Sequence, residues 1–145
     1  MKFKYCLEKG LIKRDNKAKE RIPNSIETAE RFLKSANKTY KIQEYELAEI
    51  SAYNSIFHSF RGLLFNKNYL ERSHFCLFTA IKELYKDDKE IADKCNIADR
   101  IRLSRHNIQY GGILVNKEEI NFVLKTAEEI LGIAKRILLG IVWKK

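Results

Sequence analysis

The sequence predicts an all-α protein, an up-and-down bundle of four to five long helices with a short helix at its N-terminus. Three observations lead there. Gly and Pro together contribute only seven of 145 residues, too few for a turn-rich sheet architecture. Apolar residues make up 45% of the chain and recur at three- and four-residue spacing over long stretches, the period of amphipathic helices. The breaks between those stretches are short, as between antiparallel neighbours in a bundle. A chain of 145 residues has room for one core, so a single domain is expected.

In order, Phe3, Tyr5, Leu7, Leu11 and Ile12 suggest a brief helix lying across the bundle end, followed by a basic linker over residues 13–21. Pro23 breaks the chain, Asn24 or Ser25 supplies a cap, and Ile26, Ala29, Phe32, Leu33 and Ala36 mark the first long helix, ending near Lys38. The second, over about 44–65, has a broad apolar face through Leu47, Ile50, Ile56, Phe57, Phe60, Leu63 and Leu64 and is expected at the centre. A loop at 66–68 leads to a helix over 71–85 carrying Phe75, Phe78, Ala80, Ile81 and Leu84. The next begins near Asp88 and stops at Gly111-Gly112, where a left-handed residue ends a helix. Asn116 caps the last helix, with Glu119 at the third helical position and Val115 and Ile120 as a hydrophobic staple. Its apolar face continues from Val123 to Ile141, with Trp143 packed at its end.

The chemistry concentrates in DRIRLSRHNIQYGG, residues 99–112. On a helix, Ile97, Ile101 and Ile108 form an apolar stripe, while Asp99, Arg102, His106 and Tyr110 cluster opposite. Arg105 lies on the flank, four residues before Gln109. Arginine offers a fixed charge and a planar donor fork suited to phosphate, and histidine exchanges a proton near neutral pH. Together they meet the needs of metal-free RNA cleavage, in which a 2′-hydroxyl attacks the adjacent phosphate and cations stabilise the developing charge. A solvated polar helix face has the same residue pattern. His58 and His74 are read as partners in helix packing, Arg61 as part of the His58 seam, and Tyr53 and Phe57 as core aromatics.

The net charge of +9, from 28 Lys and Arg against 19 Asp and Glu, favours an anionic partner such as nucleic acid. A Lys-, Glu- and Ile-rich composition produces such a charge without any ligand. Cys6, Cys76 and Cys95 are odd in number and form no CxxC, so buried free thiols are expected, with no disulfide and no metal site. No glycine-rich phosphate loop, HExxH or GxSxG occurs, which leaves nucleotide hydrolysis on a P-loop, zinc proteolysis and α/β-hydrolase chemistry without support. No cofactor is expected. The chain has neither a signal-like apolar start nor a run of about 20 apolar residues, so a cytoplasmic protein without membrane association is expected.

The order of SAYNSIFHSFRGLLF, RSHF, RIRLSRHNIQYGG and a capped amphipathic last helix resembles the HEPN superfamily of small helical domains, over residues 22–139. The resemblance implies a homodimer in which the arginine motifs of two subunits face each other across a cleft. Many members act as metal-independent ribonucleases, and others are toxin components or partners of a minimal nucleotidyltransferase. Its motif pairs an Arg with a His a few residues on. Arg100 and His106 fit with five residues between them; alternatively Arg105 is the motif Arg, His106 the polar residue after it, and Tyr110 stands at the His position. The second placement is preferred and resembles a branch with Tyr there. It implies Arg105, His106 and Tyr110 as catalytic candidates, with Arg100, Arg102 and Gln109 binding substrate. The competing reading is a non-catalytic module, a nucleotidyltransferase partner or nucleotide-sensing adaptor, in which Tyr110 is a contact or a modification acceptor.

Overall fold

Residues 2–142 are described by a computed structural model. The elements run α1 (Lys2–Glu8), β1 (Ile12–Arg14), a 3-10 turn (Ala18–Arg21), α2 (Ile22–Lys41), α3 (Tyr45–Asn66), β2 (Tyr69–Glu71), α4 (His74–Leu84), α5 (Lys89–Gly111) and α6 (Lys117–Val142). This is the expected all-α bundle with a minimal ribbon attached. Trp143 lies outside the described residues, as does the side chain of Ile141.

Helix α3 is the axis. Ala48, Ala52, Ile56, Phe60, Leu63 and Leu64 are all fully buried along it, and it packs against α2, α4, α5 and α6. A Cβ on Gly62 would sit 3.1 Å from Ile26 Cδ1 and 3.4 Å from Leu138 Cδ1, so glycine here lets α2 and α6 close on α3 at one level.

Helix α2 begins at Ile22 and takes Pro23 into its first turn, where a missing N–H costs no hydrogen bond. Asn24 and Ser25 are therefore not caps. Ser25 is buried, and its hydroxyl donates to the carbonyl of His58 at 2.7 Å, tying α2 to α3. The helix runs to Lys41 rather than Lys38.

The 13–21 linker and the helix start at Glu71 are both corrected. Residues Ile12, Lys13 and Arg14 pair antiparallel with Glu71, Leu70 and Tyr69. Three-residue strands are too short to show a two-residue period, and their pairing satisfies backbone groups that flanking residues do not advertise. Helix α4 starts at His74, where the Ser73 hydroxyl accepts from the Cys76 N–H at 3.2 Å.

The expectation of three free thiols is also corrected: Cys6 and Cys76 form a disulfide with Cα atoms 5.7 Å apart, joining α1 to α4. Spacing alone could not reveal it, because the two helices meet only in the fold. Cys95 is buried and free, as expected; burial pushes its thiol up to about 12.

The remaining caps follow the sequence. Asp88 Oδ1 accepts from the Ile91 N–H at the start of α5, and Gly112, with φ at +70°, closes that helix in the left-handed region. Asn116 Oδ1 accepts from the Glu119 N–H at 2.8 Å, and Val115 and Ile120 are buried beside it. Among the described residues no helix is long and apolar enough to cross a membrane.

Candidate anion site along helix α5

The faces of α5 do not divide as the stripe of Ile97, Ile101 and Ile108 suggests. Ile101 and Ile108 are buried, Ile97 only partly, and Ile91, Cys95 and Ala98 are buried as well. At about 100° per residue, these last three share a meridian with Arg102, Arg105 and Gln109. The arginines thus continue a buried seam that runs into the α3–α4 side of the bundle.

They end that seam by covering aromatic rings. Arg105 Cζ lies 4.5 Å from the centre of the Tyr53 ring and Arg102 Cζ 5.8 Å from that of Phe75, placing guanidinium over π-faces. Arg102 Nε donates to Asp99 Oδ1 at 2.8 Å, and Arg105 Nη1 to Gln109 Oε1 at 3.1 Å. The buried Arg105 Nε has no acceptor among the described residues. Both cations are therefore held in place by rings, with donors left over.

Below them stands a histidine. Tyr53 Oη and His74 Nδ1 share a hydrogen bond of 2.6 Å. The imidazole stacks on Phe57 with centroids 4.2 Å apart and on Tyr53 at 5.8 Å, yet His74 is exposed while Tyr53 is buried. Partial burial, then the charges of Arg105, Arg102 and Arg61, lower the His74 pKa and favour the neutral ring. Burial raises that of Tyr53 in spite of Arg105, so the phenol keeps its proton. Sequence reasoning treated both as packing groups; the position of His74 in the first turn after the Ser73 cap was the available hint that its ring is accessible.

The other candidates face elsewhere. His106 and Tyr110 are exposed, their rings 4.9 Å apart, on an outward strip that includes Leu103. Arg100 is exposed about 160° round the helix from Arg102 and does not join the arginine row. His58 is a packing residue, stacked on Phe32 at 5.6 Å, and burial lowers its pKa to about 4. Arg61 pairs with Glu71 at 3.1 Å and also covers Phe57 and Phe65.

Ser104 fixes the helix on its other side. Its hydroxyl lies 2.7 Å from Glu49 Oε2 and 3.1 Å from Glu119 Oε2, linking α5 to α3 and α6. Glu49 is fully buried, and burial together with the neighbouring Glu119 raises its pKa to about 8.

A groove of about 600 Å³ opens between α1, α4 and α5 and shares Phe75 and Asp99 with the Arg102 contacts. Among the described residues no group of three or more His, Cys, Asp or Glu is placed to hold a metal ion. A comparison with curated proteins finds none that matches. The sequence pattern of the HEPN domain matches residues 22–137, the span that holds α2 to α5, most of α6 and both arginines of the row. The chain belongs to the HEPN domain family.

Proposed function

We propose that this HEPN protein acts as a homodimer that binds RNA along the α5 arginine row and cleaves it without a metal ion. The observation that carries this reading is the fixing of Arg102 and Arg105 over Phe75 and Tyr53. A guanidinium held on a ring loses little further freedom on binding phosphate, and its remaining N–H groups suit the paired oxygens of a phosphodiester. The net charge of +9 draws in a polyanion.

The outward strip of α5 supports the dimer. Leu103, Tyr110, Ile113 and Leu114 are exposed by 51%, 67%, 56% and 81% around the C-terminal end of this helix, and apolar side chains grouped this way suit a protein interface. A second copy seated there brings two arginine rows to one cleft, with His106 and Tyr110 of each subunit at its rim.

The test is RNA binding measured over a range of salt concentrations, with sedimentation for mass. A dimer that binds single-stranded RNA, and loses about 0.7 from the logarithmic salt slope with Arg105→Ala, supports the reading. A monomer with no RNA affinity overturns it. A second reading, a partner of a minimal nucleotidyltransferase, is favoured by the accessibility of the Tyr110 ring at the helix end. It requires the partner to modify or bury Tyr110, detectable by mass spectrometry of the pair.

A further inference from the structure

We propose that His74, rather than His106, is the acid–base catalyst of this site, with Tyr53 as its positioning residue; this rests on the RNA reading above. His106 has the exposed Tyr110 ring beside it and lies, like that ring, on the outward strip of α5. His74 has what a general base needs. One ring nitrogen is held at 2.6 Å by a buried hydroxyl, the imidazole plane is set by stacking on Phe57 with centroids 4.2 Å apart, and the residue is open to solvent. The same Tyr53 ring carries Arg105 on its face, so one side chain positions both the imidazole and the phosphate-binding cation.

The reaction follows from that placement. In the tautomer with Nδ1–H donating to Tyr53 Oη, His74 Nε2 has a free lone pair. It removes the proton of a ribose 2′-hydroxyl, whose oxygen forms a bond to the adjacent phosphorus while the bond from phosphorus to the 5′-oxygen breaks. Nε2 returns the proton to that departing oxygen, directly or through water. Arg102 and Arg105 bind the non-bridging oxygens as their charge grows. The products are a 2′,3′-cyclic phosphate and a 5′-hydroxyl, and the enzyme ends in its starting protonation state. The charged and titratable groups near the imidazole are Arg102 and Arg105 from α5 and Arg61, Tyr53 and His58 from α3; partial burial and the three arginines favour its neutral, base-competent form.

The experiment measures single-turnover cleavage of a short single-stranded oligoribonucleotide in EDTA, and binding of the same strand with 2′-deoxyribose at the scissile position. Wild type, His74→Ala, Tyr53→Phe and His106→Gln are compared, with thermal melting to verify folding. His74→Ala is expected to bind within threefold of wild type and cleave at least 100-fold more slowly, with free imidazole restoring part of the rate. Tyr53→Phe keeps the ring under Arg105 and is expected to lower the cleavage rate at unchanged affinity. Cleavage by His74→Ala at the wild-type rate overturns the proposal, as does loss confined to His106→Gln. Tight RNA binding by wild type without cleavage overturns it together with the cleavage half of the proposed function, while the RNA-binding half stands. No RNA binding by wild type removes both.

Discussion

The guanidinium of Arg105 lies over the buried ring of Tyr53, its Cζ 4.5 Å from the ring centre. The contact depends on planar shape as well as charge. Arg105→Lys keeps the charge but loses the fork and the stacking, so RNA affinity is expected to fall about tenfold, with Arg105→Ala no more than a few-fold worse. Fluorescence anisotropy at fixed ionic strength measures this. Full retention of affinity by the lysine variant would show that point charge alone suffices.

Stability should respond to pH through Glu49. In the folded protein its carboxyl keeps a proton up to about 8, whereas an ordinary carboxyl releases it near 4.5. The folded state therefore binds more protons across that window, and stability falls as pH rises through it, by at most ~1.4 kcal/mol per unit. His58 works the other way: its imidazole is neutral down to about 4 while an ordinary one charges near 6.5, so stability falls as pH drops between those values. His58, with His74 acting in the same direction, opposes Glu49 below pH 6.5, leaving the Glu49 slope alone from there to about 8. A Tm that declines by several degrees between pH 6.5 and 8, and a flat profile for Glu49→Gln, is the expected result. A decline that persists in the glutamine variant would place the titrating group elsewhere.

The disulfide closes a loop spanning a sequence separation of 70. Removing such a constraint gives the unfolded chain an entropy equivalent to about 4 kcal/mol. Reduction, or Cys6→Ser, is expected to lower Tm by on the order of 10 °C. Calorimetry with and without a dithiol reductant, with thiols counted by alkylation, decides it; an unchanged Tm in fully reduced protein would contradict the prediction.

Leu103→Glu combined with Leu114→Glu puts two charges per subunit on the outward strip, both at positions already open to solvent. The double variant is expected to be monomeric at concentrations where wild type is dimeric, with Tm lowered only by the lost coupling to assembly. Light scattering after size-exclusion chromatography reads the mass. A double variant that remains dimeric would move the interface to another face.

The helices were legible because their signals are local. Asn116, Asp88 and Gly112 act within one turn of their own positions, and the apolar period of α6 repeats over many residues. The ribbon, the disulfide and the buried seam of α5 depend on which surfaces meet. Arg102 reads as opposite the buried stripe and Arg105 as on its flank because a helical wheel assumes one buried face along the whole helix, whereas α5 packs against α3, α4 and α6. His74 and Tyr53 are 21 residues apart, and no pattern in the sequence marks them as a hydrogen-bonded pair.

The link between Cys6 and Cys76 also divides the molecule covalently. Helices α2 and α3 and both strands lie inside a closed ring that ends within the first turn of α4, while α5 and α6 form a tail outside it. His74 and Tyr53 are on the ring; Arg102, Arg105 and Ser104 are on the tail. An excursion that lifts the tail from the ring parts the imidazole from Arg102 and Arg105 without breaking the Tyr53 hydrogen bond, so amide exchange of α5 reports how often the two halves of the site are apart.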